Sequence, residues 1–137
     1  MHIAQSLKEL RWRHQQATTD HLAVREGVNP RNLNEAGWGV IFPRDSDPGV
    51  KEALAELLRH RREQATRINE QYYEEFNGVQ GYAAGESKAQ FLARHGAGPG
   101  PVDPRVVPYY LLLVGDPQSI PFRFQYQLDL QYAVGRI

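Results

Sequence analysis

The run Pro108-Tyr109-Tyr110-Leu111-Leu112-Leu113-Val114 is apolar without alternation and ends at Gly115-Asp116. A strand with one wet face alternates apolar and polar side chains, so an unbroken apolar run reads as a strand buried on both faces. Such a strand belongs in a parallel sheet covered by helices. A second short run, Gly37-Trp38-Gly39-Val40-Ile41-Phe42-Pro43, is bounded by glycine and proline and reads as another buried strand. Tyr132-Ala133-Val134-Gly135-Arg136-Ile137 has the look of a further strand.

Helical signals lie between these runs. Asp47 is placed to cap a helix that opens with Pro48, where the missing N–H costs nothing. Val50, Leu54, Leu57, Leu58, Ala65 and Ile68 then form one apolar stripe, predicting a long amphipathic helix. Tyr72, Tyr73 and Phe76 extend the stripe past a break near Thr66, and Asn77-Gly78 closes it. Ser87 opens a short helix over Lys88 to His95, stopped by Gly96. Phe122 to Tyr126 reads as a short strand or a loop edge. Ile3, Leu7 and Leu10 predict a helix early in the segment from Ile3 to about Glu26. The expected organisation is an N-terminal helical lead-in, 1–36, followed by a partial α/β domain, 37–137. Only two strands are strong, so a sheet of two or three strands with poorly covered edges is expected.

With 137 residues the chain is sized for one domain. Sixteen basic and sixteen acidic side chains cancel, which removes the global electrostatic case for nucleic acid or an anionic membrane. There is no cysteine, and therefore no disulfide, thiolate metal site or cysteine nucleophile. No apolar run approaches the ~18 residues that cross a bilayer, and the first residues carry no signal pattern. The expectation is a cytoplasmic protein that needs no cofactor and binds neither nucleic acid nor membrane.

Asp116 stands at the carboxyl end of the strongest strand, where ligand crevices of open α/β sheets lie. The competing reading is that Gly115-Asp116-Pro117 is turn chemistry. Arg123 and Arg136 stand among Phe122, Phe124, Tyr126 and Tyr132. There an arginine binds a carboxylate or stacks on a ring, or it covers apolar surface and stays solvated. The connector Gly96-Ala97-Gly98-Pro99-Gly100-Pro101 follows a helix and precedes a strand, the reverse of a phosphate loop, and its prolines remove N–H donors. The five histidines form no metal-binding pattern and read as surface residues. Arg59, His60, Arg61, Arg62 and Arg67 interleave with Glu56, Glu63 and Glu70, as on a solvated helix face. No serine sits in a nucleophile elbow.

The stretch Tyr109 to Asp116, then Ile120-Pro121, Asp129 and Tyr132 to Ile137, resembles gingipain-like cysteine peptidases, which belong with the caspases and CHAT-domain proteins. The likeness covers about the last thirty residues, with a looser likeness over Gly37–Pro43 and Gly85–His95. It implies a three-layer α/β/α fold with a mainly parallel sheet, the Leu113-Val114-Gly115-Asp116 segment lying in that central sheet. It also implies that Val134-Gly135-Arg136-Ile137 precedes a catalytic part whose histidine and cysteine end later strands. Asp116 and Arg136 match motif positions, and no catalytic residue carries over.

A cysteine peptidase needs an activated thiolate, so the resemblance implies a catalytically incomplete N-terminal piece of a bacterial peptidase. The alternative is an α/β interaction module. Its partner, or the remainder of a longer chain, would complete the sheet. A small-ligand domain built on Asp116 and Arg123 is a third reading. The last apolar segment is expected to lack a strand partner and to leave an edge prone to association. The purified chain is expected to show no iodoacetamide-sensitive peptide hydrolysis; thiol-dependent turnover in a fluorogenic peptide assay would overturn that reading.

Overall fold

The computed structural model describes residues 32–137. The helix expected within residues 3–26 lies outside the described residues. Four strands, β1 (Trp38–Ile41), β2 (Tyr73–Phe76), β3 (Tyr110–Leu113) and β4 (Ala133–Arg136), form one sheet in the order β2-β1-β3-β4. Every pair is parallel. Trp38 aligns with Tyr73 on one side and Tyr110 on the other, and Tyr110 aligns with Ala133. The helices are α1 (Leu33–Ala36), α2 (Pro48–Ala53), α3 (Ala55–Ala65), α4 (Lys88–Arg94) and α5 (Phe122–Leu128). The fold is α/β with a parallel sheet, as the apolar strands imply.

Apolar side chains gather in two clusters. Trp38, Val40, Tyr73 and Val114 pack with Leu58 and Ala65 of α3. Ile41, Phe76, Leu111 and Leu113 pack with Phe91 and Leu92 of α4 and Phe124 and Leu128 of α5. Successive side chains of a strand point to opposite faces, so the clusters lie on opposite faces of the sheet. Helical residues stand in both, which is why β1 is apolar at every position.

Several local signals form as the residues dictate. Asp47 Oδ1 accepts the Gly49 N–H at 2.8 Å, with Pro48 in the first turn. Ser87 and Gln90 make a reciprocal capping box on α4. Arg59 bridges Glu56 and Glu63 on α3 at 3.1 and 2.9 Å, as the interleaved charges suggest.

Three segments depart from the sequence reading. The long helix divides at Leu54. Its N–H bonds to Lys51, its carbonyl accepts from Leu58, and its side chain packs against the Trp38 cluster. Tyr73 to Phe76 is strand β2, not helix. Apolar residues three apart suit a helix, but Tyr73 and Phe76 here serve opposite faces of an extended segment paired with β1. Phe122 to Tyr126 is helix α5, not a strand or loop edge. Its alternating rings are two interleaved i,i+4 sets. Phe124 and Leu128 turn inward, while Phe122 and Tyr126 stack outside at 6.0 Å. The sheet therefore has four strands rather than two or three, and the last segment does have a strand partner, β3.

The loops are tied down by polar contacts. Tyr82 continues the pairing of β1, exchanging bonds with Phe42 and Arg44. Gly81 beside it has no room for a side chain: a Cβ there would meet the Phe42 carbonyl oxygen at 2.5 Å. Arg94 grips Glu86 through two nitrogens and donates to the Val79 and Gly81 carbonyls. The buried amide of Gln131 donates to Gly98 and Gly100, so the glycine-rich connector is a structural loop clamped from β4's side of the fold.

His95 is half-buried rather than fully on the surface. Its ring lies 4.7 Å from Phe76 and 4.5 Å from Phe91, and burial, helped by the Arg94 charge, holds its pKa below the ordinary value. The folded state then binds fewer protons than the unfolded one. Its contribution is present above the ordinary histidine pKa near 6.5 and is lost as pH falls below it. The unfolding free energy from urea titration is expected to fall between pH 7.5 and 5.5. The His95→Gln variant should show a flatter dependence over that interval, and an equal slope in both proteins would exclude this role.

Candidate functional site

The strand order sets the place of the site. The chain leaves β1 through α2 and α3 towards β2, on one side, and leaves β3 through α5 towards β4, on the other. Where neighbouring strands send their connections apart, a crevice opens at their carboxyl ends. Here a cleft of about 710 Å³ occupies that position. Asp45, Ser46 and Asp47 from the turn after β1 face Gly115, Asp116 and Ser119 from the turn after β3, and Val50, Leu54, Val114 and Ile137 supply apolar wall.

Asp116 lines this cleft, in agreement with its expected place at a strand end. Gly115 precedes it at φ 152°, a conformation that side chains disfavour, and so turns the chain sharply out of the sheet. Asp116 Oδ1 then accepts the N–H groups of Gln118 at 3.0 Å and Ser119 at 2.8 Å. The Ser119 bonds, with help from Gln118 and the Arg136 charge, hold its carboxyl below the usual carboxylate range. Turn chemistry and a place in the cleft are thus the same arrangement: the turn orients an ionised carboxylate at its rim.

Arg136 sits behind that turn. Nη1 donates to the Gly115 carbonyl at 2.9 Å, Nε to Gln125 Oε1 at 2.8 Å, and the guanidinium lies 5.1 Å from the Phe122 ring centre. Nη2 is buried with no hydrogen-bond partner among the described residues. The reading of Arg136 as a solvated cover for apolar surface is therefore replaced: burial lowers its pKa, and its fork joins β4, α5 and the Gly115 turn.

Arg123 does not join them. It is exposed on α5 and lines a separate groove of about 410 Å³ with Tyr82, Ser87, Phe124 and Gln127. Asp116 and Arg123 thus line different clefts. Asp45, Ser46 and Asp47 line the cleft, although the sequence singles out only Asp47, as a helix cap. Their signal was position after a strand closed by Pro43, but only the strand order shows which turn they face.

The cleft offers carboxylates, hydroxyls and apolar wall. Among the described residues that line it there is no histidine, and the chain has no cysteine to act as a nucleophile. No group of three or more metal-ligating side chains of the kind that holds an ion occurs among the described residues, and no helix there is long and apolar enough to cross a membrane. Comparison with family models, curated proteins and solved structures finds no match for this chain.

Removing the guanidinium should loosen the Gly115 turn. Arg136→Met is expected to cost about 1.5–3 kcal/mol, the range for hydrogen bonds to charged groups, and Arg136→Lys should not restore it because an ammonium lacks the planar fork. Chemical denaturation reads both variants, and wild-type midpoints would sink the assignment.

Proposed function

We propose that this chain is the N-terminal, catalytically incomplete portion of a caspase- or gingipain-like bacterial peptidase of three-layer α/β/α design, inactive alone, whose sheet is completed by the remainder of a longer chain. The setting is cytoplasmic and free of disulfides, with no nucleic-acid or membrane partner. The resemblance over Tyr109–Ile137 supplies the family. The Leu113-Val114-Gly115-Asp116 segment lies in and just beyond a central parallel strand, and Val134-Gly135-Arg136 lies in the strand beside it, which supports that reading.

The observation that carries the proposal is β4. It pairs with β3 on one side only among the described residues. Ala133 and Ile137 direct their N–H groups to Tyr109 and Leu113, and the Ile137 carbonyl accepts from Gly115. Alternation along a parallel strand then turns the N–H and C=O of Val134 and Arg136 outward. Natural edges are commonly blunted by charge. The opposite edge strand, β2, carries Glu74 and Glu75, with Glu75 bound by Lys51 at 2.6 Å and by Tyr73. β4 carries no acid, and Phe122, Tyr126, Leu130 and Ile137 stay exposed on or near it.

This asymmetry also supports a second reading, an interaction module whose sheet is completed by another chain. The reading frame beyond codon 137 separates the two. An apolar strand followed by a histidine and a later cysteine, each at a strand end, is the expected result for the peptidase portion. A stop codon with a cooperatively folding product would overturn it in favour of the module.

A further inference from the structure

Asn77 and Gly78 follow β2 directly, and Gly78 opens a single 3-10 turn, Gly78–Gln80. Of the five asparagines in the chain, only Asn77 is followed by glycine. The backbone nitrogen after an asparagine closes a five-membered ring when it attacks the side-chain amide carbon. A side chain on that next residue hinders the approach, and glycine has none. Other described asparagines are engaged: Asn69 Oδ1 accepts the Gln71 N–H at 2.8 Å, and Asn32 Nδ2 donates to Glu35 at 3.0 Å. The Asn77 side chain makes no capping bond to the turn it precedes. The Gly78 N–H, the first of that turn, has no acceptor among the described residues. Gly78 lies at φ 54°, exposed, with nothing within 4 Å of where a Cβ would stand. The bonds on either side stop short of this peptide. Pairing with β1 ends at the Phe76 carbonyl, and the grip of Arg94 begins at Val79.

We propose that Asn77 is a self-modification site, converting to isoaspartate through the Gly78 nitrogen, and that this conversion loosens the turn leading to Tyr82. The Gly78 nitrogen forms a bond to Asn77 Cγ and gives up its proton. The bond from Cγ to the amide nitrogen breaks, and ammonia leaves with that proton. Water then adds to one carbonyl of the resulting succinimide and breaks its bond to the ring nitrogen. Opening at Cγ gives aspartate at position 77, and opening at the backbone carbon gives isoaspartate. No atom is oxidised or reduced. Isoaspartate routes the main chain through Cβ, which adds one atom, and leaves a carboxylate as the branch. The turn has little room for that atom because both of its ends are pinned to Phe42. The Phe42 N–H donates to the Phe76 carbonyl at 2.9 Å, and the Phe42 carbonyl accepts the Tyr82 N–H at 2.8 Å. Gly81, between them, already lies against that carbonyl oxygen. The added length therefore displaces Tyr82, whose own carbonyl accepts the Arg44 N–H at 3.0 Å just before the Asp45–Asp47 rim of the cleft.

The test holds the 137-residue protein in mildly alkaline buffer and follows its tryptic peptides by mass spectrometry, with isoaspartyl methyltransferase labelling isoaspartate. Position 77 is expected to convert ahead of the other asparagines, with isoaspartate among the products. Its rate should lie within about tenfold of that in a synthetic peptide spanning residues 74–81, since opening one exposed turn costs little free energy. Asn77→Gln, whose ring would have six members, should stay unconverted with unchanged circular dichroism. The Arg44 and Tyr82 amides should exchange hydrogen several-fold faster in the converted protein than in Asn77→Gln. A rate at position 77 more than about tenfold below the peptide's shows a locked turn and overturns the proposal. Conversion of Asn69 as fast as Asn77 also overturns it, because the turn then confers nothing. Conversion that leaves the Arg44 and Tyr82 amides unchanged overturns the loosening.

Discussion

The hydrogen-bond ladder between β1 and β3 is the constraint on which the structure depends. It brings together segments about seventy residues apart in register, Trp38 with Tyr110 through Ile41 with Leu113. A parallel ladder has no tight turn, so each strand must be reached by a crossover. The crossovers then carry helices onto the sheet, and both faces become apolar core. The composition of β1 and β3 follows from this: neither strand has a face that meets water freely.

The same ladder makes the cleft. Because β1 and β3 are neighbours whose connections diverge, their two following turns confront one another instead of being bridged by one helix. Gly115 bends the chain away, Asp116 anchors the turn through two backbone N–H groups, and Arg136 reaches from β4 to hold the Gly115 carbonyl. The guanidinium is thereby coupled to the site through the backbone rather than by lining it. It also lies on β4, which pairs on one side only among the described residues.

The two sheet edges are physically different solutions. Glu74 and Glu75 on β2 mark an end, since extended pairing there would bury or oppose carboxylates. Burial raises the Glu74 pKa, whereas Lys51 and Tyr73 hold the Glu75 pKa down. β4 offers backbone groups, glycine and apolar flanks, which are what an added strand uses.

Much of the core was legible in the sequence because some signals are local. The unbroken apolar runs at Trp38–Phe42 and Tyr109–Val114, the Asp47 and Ser87 caps, and the charge pairs of Arg59 depend on neighbours within a turn or two. The position of Asp116 at a strand end was equally legible, since a glycine and an aspartate follow the apolar run directly. Tertiary structure decided the remainder. Tyr73–Phe76 has spacing that suits helix or strand, and only the free edge of β1 selects the strand. Phe122–Tyr126 alternates like a strand, and only the core that takes Phe124 and Leu128 selects the helix. Arg123 and Arg136 look alike in sequence, yet one lies on an exposed helix face and the other reaches beneath the Gly115 turn. Residue type and spacing determine which local structures are available. Which of them forms, and which distant residues meet, depends on long-range hydrogen bonding and burial that no short window contains.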